Sequence, residues 1–131
     1  GQVGGQIPLG VGPASQAILA MLPPEEADVI LNANAALYAR FNGLTMAEIA
    51  GKLPEIRAQR FALDHGHLVE GISALAVPIL LKGGDVVGSI AINMTSARLK
   101  PERLDSLIDM LRTEVGAIEQ AINPQEVRAA R

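Results

Sequence analysis

The apolar residues of this chain recur at one of two periods, and the change between them divides it into a helical first half, a strand-forming middle and a helical end. Residues 1–12, GQVGGQIPLGVG, are rich in glycine and stop before Pro13, which suits the first turn of a helix because its missing N–H needs no partner there. The spacing predicts a first helix from about Pro13 to Leu22, stopped by Pro23 and Pro24. A second begins in EEADVILNAN, with two acidic residues near the positive end of its dipole. A short third helix is expected to hold Leu37, Tyr38 and Phe41. Thr45 and Glu48 form a capping box that opens a fourth helix through about Arg60, with Ile49, Leu53 and Ile56 on its buried stripe.

Alternation then replaces the helical period. FALD (61–64), ISALAVPILL (72–81) and VVGSIAINM (86–94) read as strands, the last two joined by Lys82-Gly83-Gly84-Asp85, a strong hairpin signal. A long closing helix starts at Pro101 and carries Leu104, Leu107, Ile108, Leu111, Val115 and Ile118 on one stripe. It is expected to end near Asn123-Pro124, leaving QEVRAAR as a frayed tail. With no internal repeat and no linker, residues 1–131 read as one α+β domain, an antiparallel sheet flanked by helices.

The hairpin has two unlike faces. Pairing across the turn sets Leu81 opposite Val86, Val77 opposite Ile90 and Leu75 opposite Ile92 on a bulky face, and Ala74 opposite Asn93, Ala76 opposite Ala91 and Pro78 opposite Ser89 on a face of small side chains. Pro78 has no N–H for a ladder and needs a non-hydrogen-bonded pair or an edge, which selects a four-residue loop, Lys82 to Asp85. The small face either lets a helix approach closely or leaves room for a ligand. Asn93 favours the ligand, since a buried amide without partners costs ~1–3 kcal/mol. Gly12, Pro13, Ala14 and Ser15 mark a helix start with no acidic side chain, and free N–H groups there attract a carboxylate or phosphate.

Composition narrows the function. A chain that is 49% hydrophobic and 19% charged is not disordered, and no apolar run reaches the ~18 residues of a membrane span. Aromatic residues are only 2% and the net charge is -3, with basic residues scattered, so direct nucleic-acid binding by this chain is not expected. There is no cysteine, hence no disulfide scaffold or thiolate chemistry. No signal peptide is visible, which points to the cytoplasm, and a start at Gly1 reads as an excised fragment. No cofactor is implied.

Three other classes stand beside a ligand-binding domain. His65 and His67, with Asp64 and Glu70, offer a metal-binding alternative, since imidazoles two apart on an extended strand project to one side. A hydrolase is disfavoured, because Ser15 and Ser89 lack recognisable His-Asp support and no P-loop or G-x-G-x-x-G run occurs. A dimerisation module with an empty apolar face is the third.

PLGVGPASQAILAMLPPEEA, LDHGHLVEGISALAVPI and SARLKPERLDSLIDMLR, in this order and spacing, resemble the C-terminal effector-binding domain of IclR-type bacterial transcriptional regulators. The resemblance covers nearly the whole chain. It implies a GAF-like antiparallel sheet with helices, and a pocket for a small carboxylic or aromatic acid that controls transcription. It also implies assembly into a homodimer or tetramer, and contact with operator DNA only through an upstream winged helix-turn-helix. That segment and the first strands of the sensor sheet are not legible in residues 1–12. Carried over by position, the family's backbone anion contacts fall on Pro13 and Ala14, its pocket acid on Asp64, and its strand positions on Ala74, Ala91 and Asn93. With Gly12, Ser15, Ala76 and Ser89 from the helix start and the hairpin, these are the candidate effector-binding residues. Ser15-Gln16 stands where Gly-Lys is usual, Gly66-His67 where acidic residues are usual, and Ala74 and Ala91 where polar side chains occur. The expected ligand therefore has an apolar body and one acidic end.

Overall fold

The computed structural model describes residues 7–122. The glycine-rich start at residues 1–6, the predicted stop at Asn123-Pro124 and the tail lie outside them. The elements run α1 (Pro13–Met21), α2 (Pro24–Tyr38), α3 (Met46–Gln59), β1 (Ala62–Val69), β2 (Ile72–Leu80), β3 (Val86–Thr95) and α4 (Pro101–Ala121). The three strands form an antiparallel sheet in the order β1-β2-β3, so the α+β architecture expected from the sequence is the one found.

Two element boundaries depart from the sequence reading. The separate short helix at Leu37 to Phe41 does not form: α2 continues through Tyr38, and Phe41 falls in the following turn. Nothing in that stretch breaks a helix. Asn32 and Asn34 turn their amides back onto the carbonyls of Asp28 and Ile30 (2.8 and 2.9 Å), and the alanines between favour helix. The strand begun in FALD runs on to Val69, because its register shifts between His65 and Val69 and pairing resumes at Val69 with Ile72. Gly66 takes the positive φ of 79° inside this irregularity.

The hairpin pairs as expected over most of its length: Ala74 with Asn93, Leu75 with Ile92, Ala76 with Ala91, Val77 with Ile90 and Pro78 with Ser89. The end nearest the turn differs. Leu80, not Leu81, faces Val86, because a bulge between Ile79 and Leu80 leaves Val87 without a partner, and Leu81 joins the turn with its N–H on the Asp85 carbonyl (2.8 Å). Pro78 is tolerated in the middle strand because β1 stops pairing at Ala76. Leu80, two residues on and on the same backbone side, gives its N–H to the Glu119 carboxylate (2.7 Å), so Pro78 points to that open edge.

The two faces of the sheet are covered by different helices. Leu75 and Val77 pack with Leu99 and with Leu107, Ile108, Leu111 and Val115 of α4. On the other face Ala62 and Ala76 meet Ala17 and Ala20 of α1 and Ile56 of α3. A third cluster, Val11, Leu19, Ala27, Leu31, Tyr38 and Ile49, joins α1, α2 and α3 beyond the sheet. Thr45 caps α3 as expected, its hydroxyl accepting the Glu48 N–H, but the Glu48 carboxylate returns to the Thr45 hydroxyl and not to its backbone N–H (3.1 Å each), so only the first half of the capping box is made.

Candidate functional site

The chain entering α1 is held in place by side chains from distant parts of the sequence. Tyr38, fully buried, donates its hydroxyl to the Leu9 carbonyl (2.6 Å). Gln16, also buried, donates its amide to the Gly10 carbonyl (2.9 Å), and the Gly10 N–H donates to the Ser15 hydroxyl (2.7 Å). Burial pushes the Tyr38 hydroxyl pKa above its ordinary value. Gly10 has φ 118°, and a Cβ there would lie 2.9 Å from the Tyr38 hydroxyl, so this position requires glycine twice over. Gly12 is the N-cap at φ 83°. It contributes no side-chain cap, Pro13 has no N–H, and no acid occupies the first turn. Gln16 is the first residue whose N–H closes onto the helix, at the Gly12 carbonyl (3.0 Å). The helix therefore opens with the Ala14 and Ser15 N–H groups facing outward.

Opposite this start stands the irregular part of β1. The Asp64 carboxylate accepts the N–H groups of His67 and Leu68 (3.3 Å each), and Asn42 donates its amide to the His67 carbonyl (2.6 Å). These bonds hold the strand's irregular loop as a wall. Gly12, Pro13 and Gln16 on one side and Asp64, His67 and Leu68 on the other enclose a cavity of about 260 Å³, which Asn42, Glu48 and Lys52 also line.

The structure thus brings Gly12, Pro13 and Asp64 around one cavity. Across the three strands Asp64, Ala74 and Asn93 form one row, Ala62, Ala76 and Ala91 the next. The vacant face expected along the hairpin is corrected in part. Ala76 is sealed beneath α1 with Ala17 and Ala20, and Ser89 donates its hydroxyl to the Ala14 carbonyl (2.8 Å), so in these rows small residues let the helix approach. Ala91 and Asn93 are exposed and Ala74 is half-buried. The buried amide that argued for a ligand is a solvated one. Ala14 is exposed, while Ser15 spends its hydroxyl on the Gly10 N–H and the Val11 carbonyl.

His65 and His67 are both exposed, and the irregularity between them removes the simple alternation that would set them side by side. Among the described residues no three metal-ligating side chains gather. Lys52 and Asn42 were not found from the sequence. Lys52 follows Glu48 by one turn on a helix read for its apolar stripe, and Asn42 sits in a turn at φ 56°, a conformation asparagine tolerates better than most residues.

A family model described as the bacterial transcriptional regulator IclR C-terminal domain matches residues 1–120. The chain belongs to the IclR C-terminal family. AllR of Klebsiella pneumoniae, an HTH-type transcriptional repressor, is 28% identical over 121 residues, covering 92% of this chain and 44% of AllR. KdgR of Escherichia coli, an HTH-type transcriptional regulator, is 27% identical over 115 residues, 86% of this chain and 43% of KdgR. The chain spans less than half the length of either relative. The crystal structure of the KdgR C-terminal domain matches this IclR-type domain with a TM-score of 0.75 at 26% identity, covering 86% of this chain and 69% of that one. The Acinetobacter PobR inducer-binding domain, a double mutant in complex with 3-hydroxybenzoic acid, shares the fold, with a TM-score of 0.73 at 18% identity, covering 86% of this chain and 66% of that one. Both relatives are regulators of transcription. No helix among the described residues is long and apolar enough to cross a membrane.

Proposed function

We propose that this IclR-type domain senses a small organic acid at the start of α1, and that binding alters operator affinity through a helix-turn-helix carried in a longer regulator. The observation that carries this reading is the convergence of an uncapped helix start, free of acidic side chains, with the Asp64 wall around one cavity. The acid's carboxylate meets the Ala14 and Ser15 N–H groups and the positive end of the α1 dipole, with Lys52 as the nearby cation. Its body would lie against Leu44 and Leu68 in the cavity and extend past Asp64 along the row toward Ala74 and Asn93, neither of which lines the cavity itself. A cavity of about 260 Å³ suits a metabolite smaller than a drug. The 3-hydroxybenzoic acid bound by PobR supports an acid ligand for the shared fold.

Ala14→Asp separates binding from folding. An aspartate in the first turn stabilises a helix by a few tenths to ~1 kcal/mol while it occupies and repels the anion site. Titration calorimetry with a panel of small aromatic and aliphatic acids and their uncharged amides should find an acid that binds the wild type better than its amide and loses affinity in the variant while the melting temperature holds. Acid and amide weakened equally would remove the helix start from the site.

Two further proposals belong to this reading. β3 ends the sheet with an outer edge, and strands from an upstream segment would complete it there. The regulator would work as a homodimer or tetramer, in keeping with two-fold operators, and sedimentation of the complete protein showing only monomer at high concentration would refute that.

A further inference from the structure

A second concavity, of about 730 Å³, lies at the other end of α1 and is unused by the acid-sensing reading. Its floor includes Met21 and Leu81. Its rim carries Arg57 and Arg60 from the end of α3 and Lys82 from the β2–β3 turn, all three exposed. An adjoining recess shares Arg60 and adds Arg112. In a chain of net charge -3, four cations at one end are a marked local excess.

Helix ends account for part of that excess. Arg57 sits in the last turn of α3, where the dipole favours a cation, and Arg112 donates to the Gln59 carbonyl (2.7 Å). They do not account for all of it. The C-terminal ends of α1, α3 and α4, which supply Met21, Arg60 and Gln120 to the groove, carry about half a negative charge each and, with one carboxylate, fall short of four cations. That carboxylate, Glu119, is already engaged by the Leu80 N–H.

Arg60 is the telling residue. It closes α3 in the left-handed conformation, φ 62° and ψ 34°, with its N–H on the Ile56 carbonyl (2.7 Å). Glycine performs that backbone task without the steric cost an L side chain brings, so the backbone alone does not call for arginine. Strain of this kind, held at the mouth of a cavity, points to use of the side chain. A planar guanidinium grips phosphate oxygens two at a time, and the volume lies in the range of small-molecule sites.

We propose that this groove binds a phosphorylated small molecule, with Arg60, Arg57 and Lys82 on the phosphate and Met21 and Leu81 under its organic part. The site is distinct from the acid pocket, a helix length of ~14 Å away.

The test uses inorganic pyrophosphate as probe, titrated into the 131-residue chain at about 150 mM salt, an ionic strength at which diffuse surface attraction is largely screened. Arg60→Gly should keep or raise the melting temperature while weakening pyrophosphate roughly tenfold or more, as loss of a charge-assisted contact implies. Lys82→Ala should weaken it several-fold, and Lys52→Ala, in the acid pocket, should leave it unchanged. Arg60→Gln keeps the backbone geometry and removes only the charge, so it carries the same expectation if the glycine variant folds poorly. Unchanged affinity in both Arg60 variants would overturn the proposal. So would an equal loss in Lys52→Ala, which would place the probe in the acid pocket, or sulfate binding as well as pyrophosphate, which would make the groove a general counter-ion surface.

Discussion

The two faces of β2 are built from alternate residues of one strand, yet they pack by opposite means. Toward α4 the strand presents Leu75 and Val77, and the helix answers with Leu107, Ile108, Leu111 and Val115, so large side chains fill the gap and set the separation. Toward α1 it presents Ala76, met by Ala17 and Ala20, and close approach of backbone replaces side-chain bulk. The first arrangement is a core and nothing more. The second draws the start of α1 down beside the sheet, where Gly12 and Pro13 share a cavity with Asp64 and the proposed ligand would touch helix and strand together. Small residues in the sheet would thus serve the proposed site indirectly, by placing the helix that opens onto it.

The largest effect should come from the bulky face. Leu75→Ala removes a fully buried side chain and should cost ~2–5 kcal/mol in urea unfolding, with effector affinity of the folded protein unchanged. If affinity falls as well, the two faces are coupled more tightly than their packing implies. On the small face Ala76→Leu should cost ~1–3 kcal/mol by overpacking beneath α1, and should also weaken acid binding because the helix start must move. Calorimetry on the variant separates the two losses; intact binding would mean that α1 does not position the ligand.

Tyr38→Phe tests the pinned entry to α1. It leaves the Leu9 carbonyl without its donor and should cost ~1–2 kcal/mol. It should also alter the response to alkali. The folded-state pKa of Tyr38 is raised by burial, so its contribution is fully present below the unfolded value of ~10 and is lost as pH rises through the folded value. Wild-type stability should fall above about pH 10 more steeply than that of the phenylalanine variant, and parallel curves in denaturant titrations would show that Tyr38 does not cause the loss. The smallest change is expected at the exposed Asn93. Asn93→Leu should alter stability by no more than ~0.5 kcal/mol. Its effect on acid binding, read by the same calorimetry, reports whether the ligand reaches the end of the Asp64–Ala74–Asn93 row.

Much of this was legible in the residues. Period and punctuation located α1, α3, α4 and the hairpin, since prolines, a capping box and a glycine turn act locally and leave local marks. The pairing of Ala74 with Asn93 and Pro78 with Ser89 followed from the turn. The bulge at Val87 did not, because one extra residue in a strand leaves the surrounding alternation intact on either side. Nor did the length of β1, whose continuation depends on the Asp64 carboxylate folding back onto His67 and Leu68.

What the sequence determined by itself is therefore most of the elements and their order, though not the merging of the expected short helix into α2, together with the bulky and small faces of the hairpin and the family. All of these rest on near-neighbour periodicity or on the order of motifs. Tertiary structure alone decided that α1 covers Ala76 and leaves Asn93 in water. It alone carried Tyr38 across 29 positions to Leu9, and set Lys52 and Asn42 beside the start of α1. The physical reason is range. A side chain's own periodicity says which way it faces, but what it meets there depends on where a distant helix comes to rest, and that is settled by the packing of the whole domain.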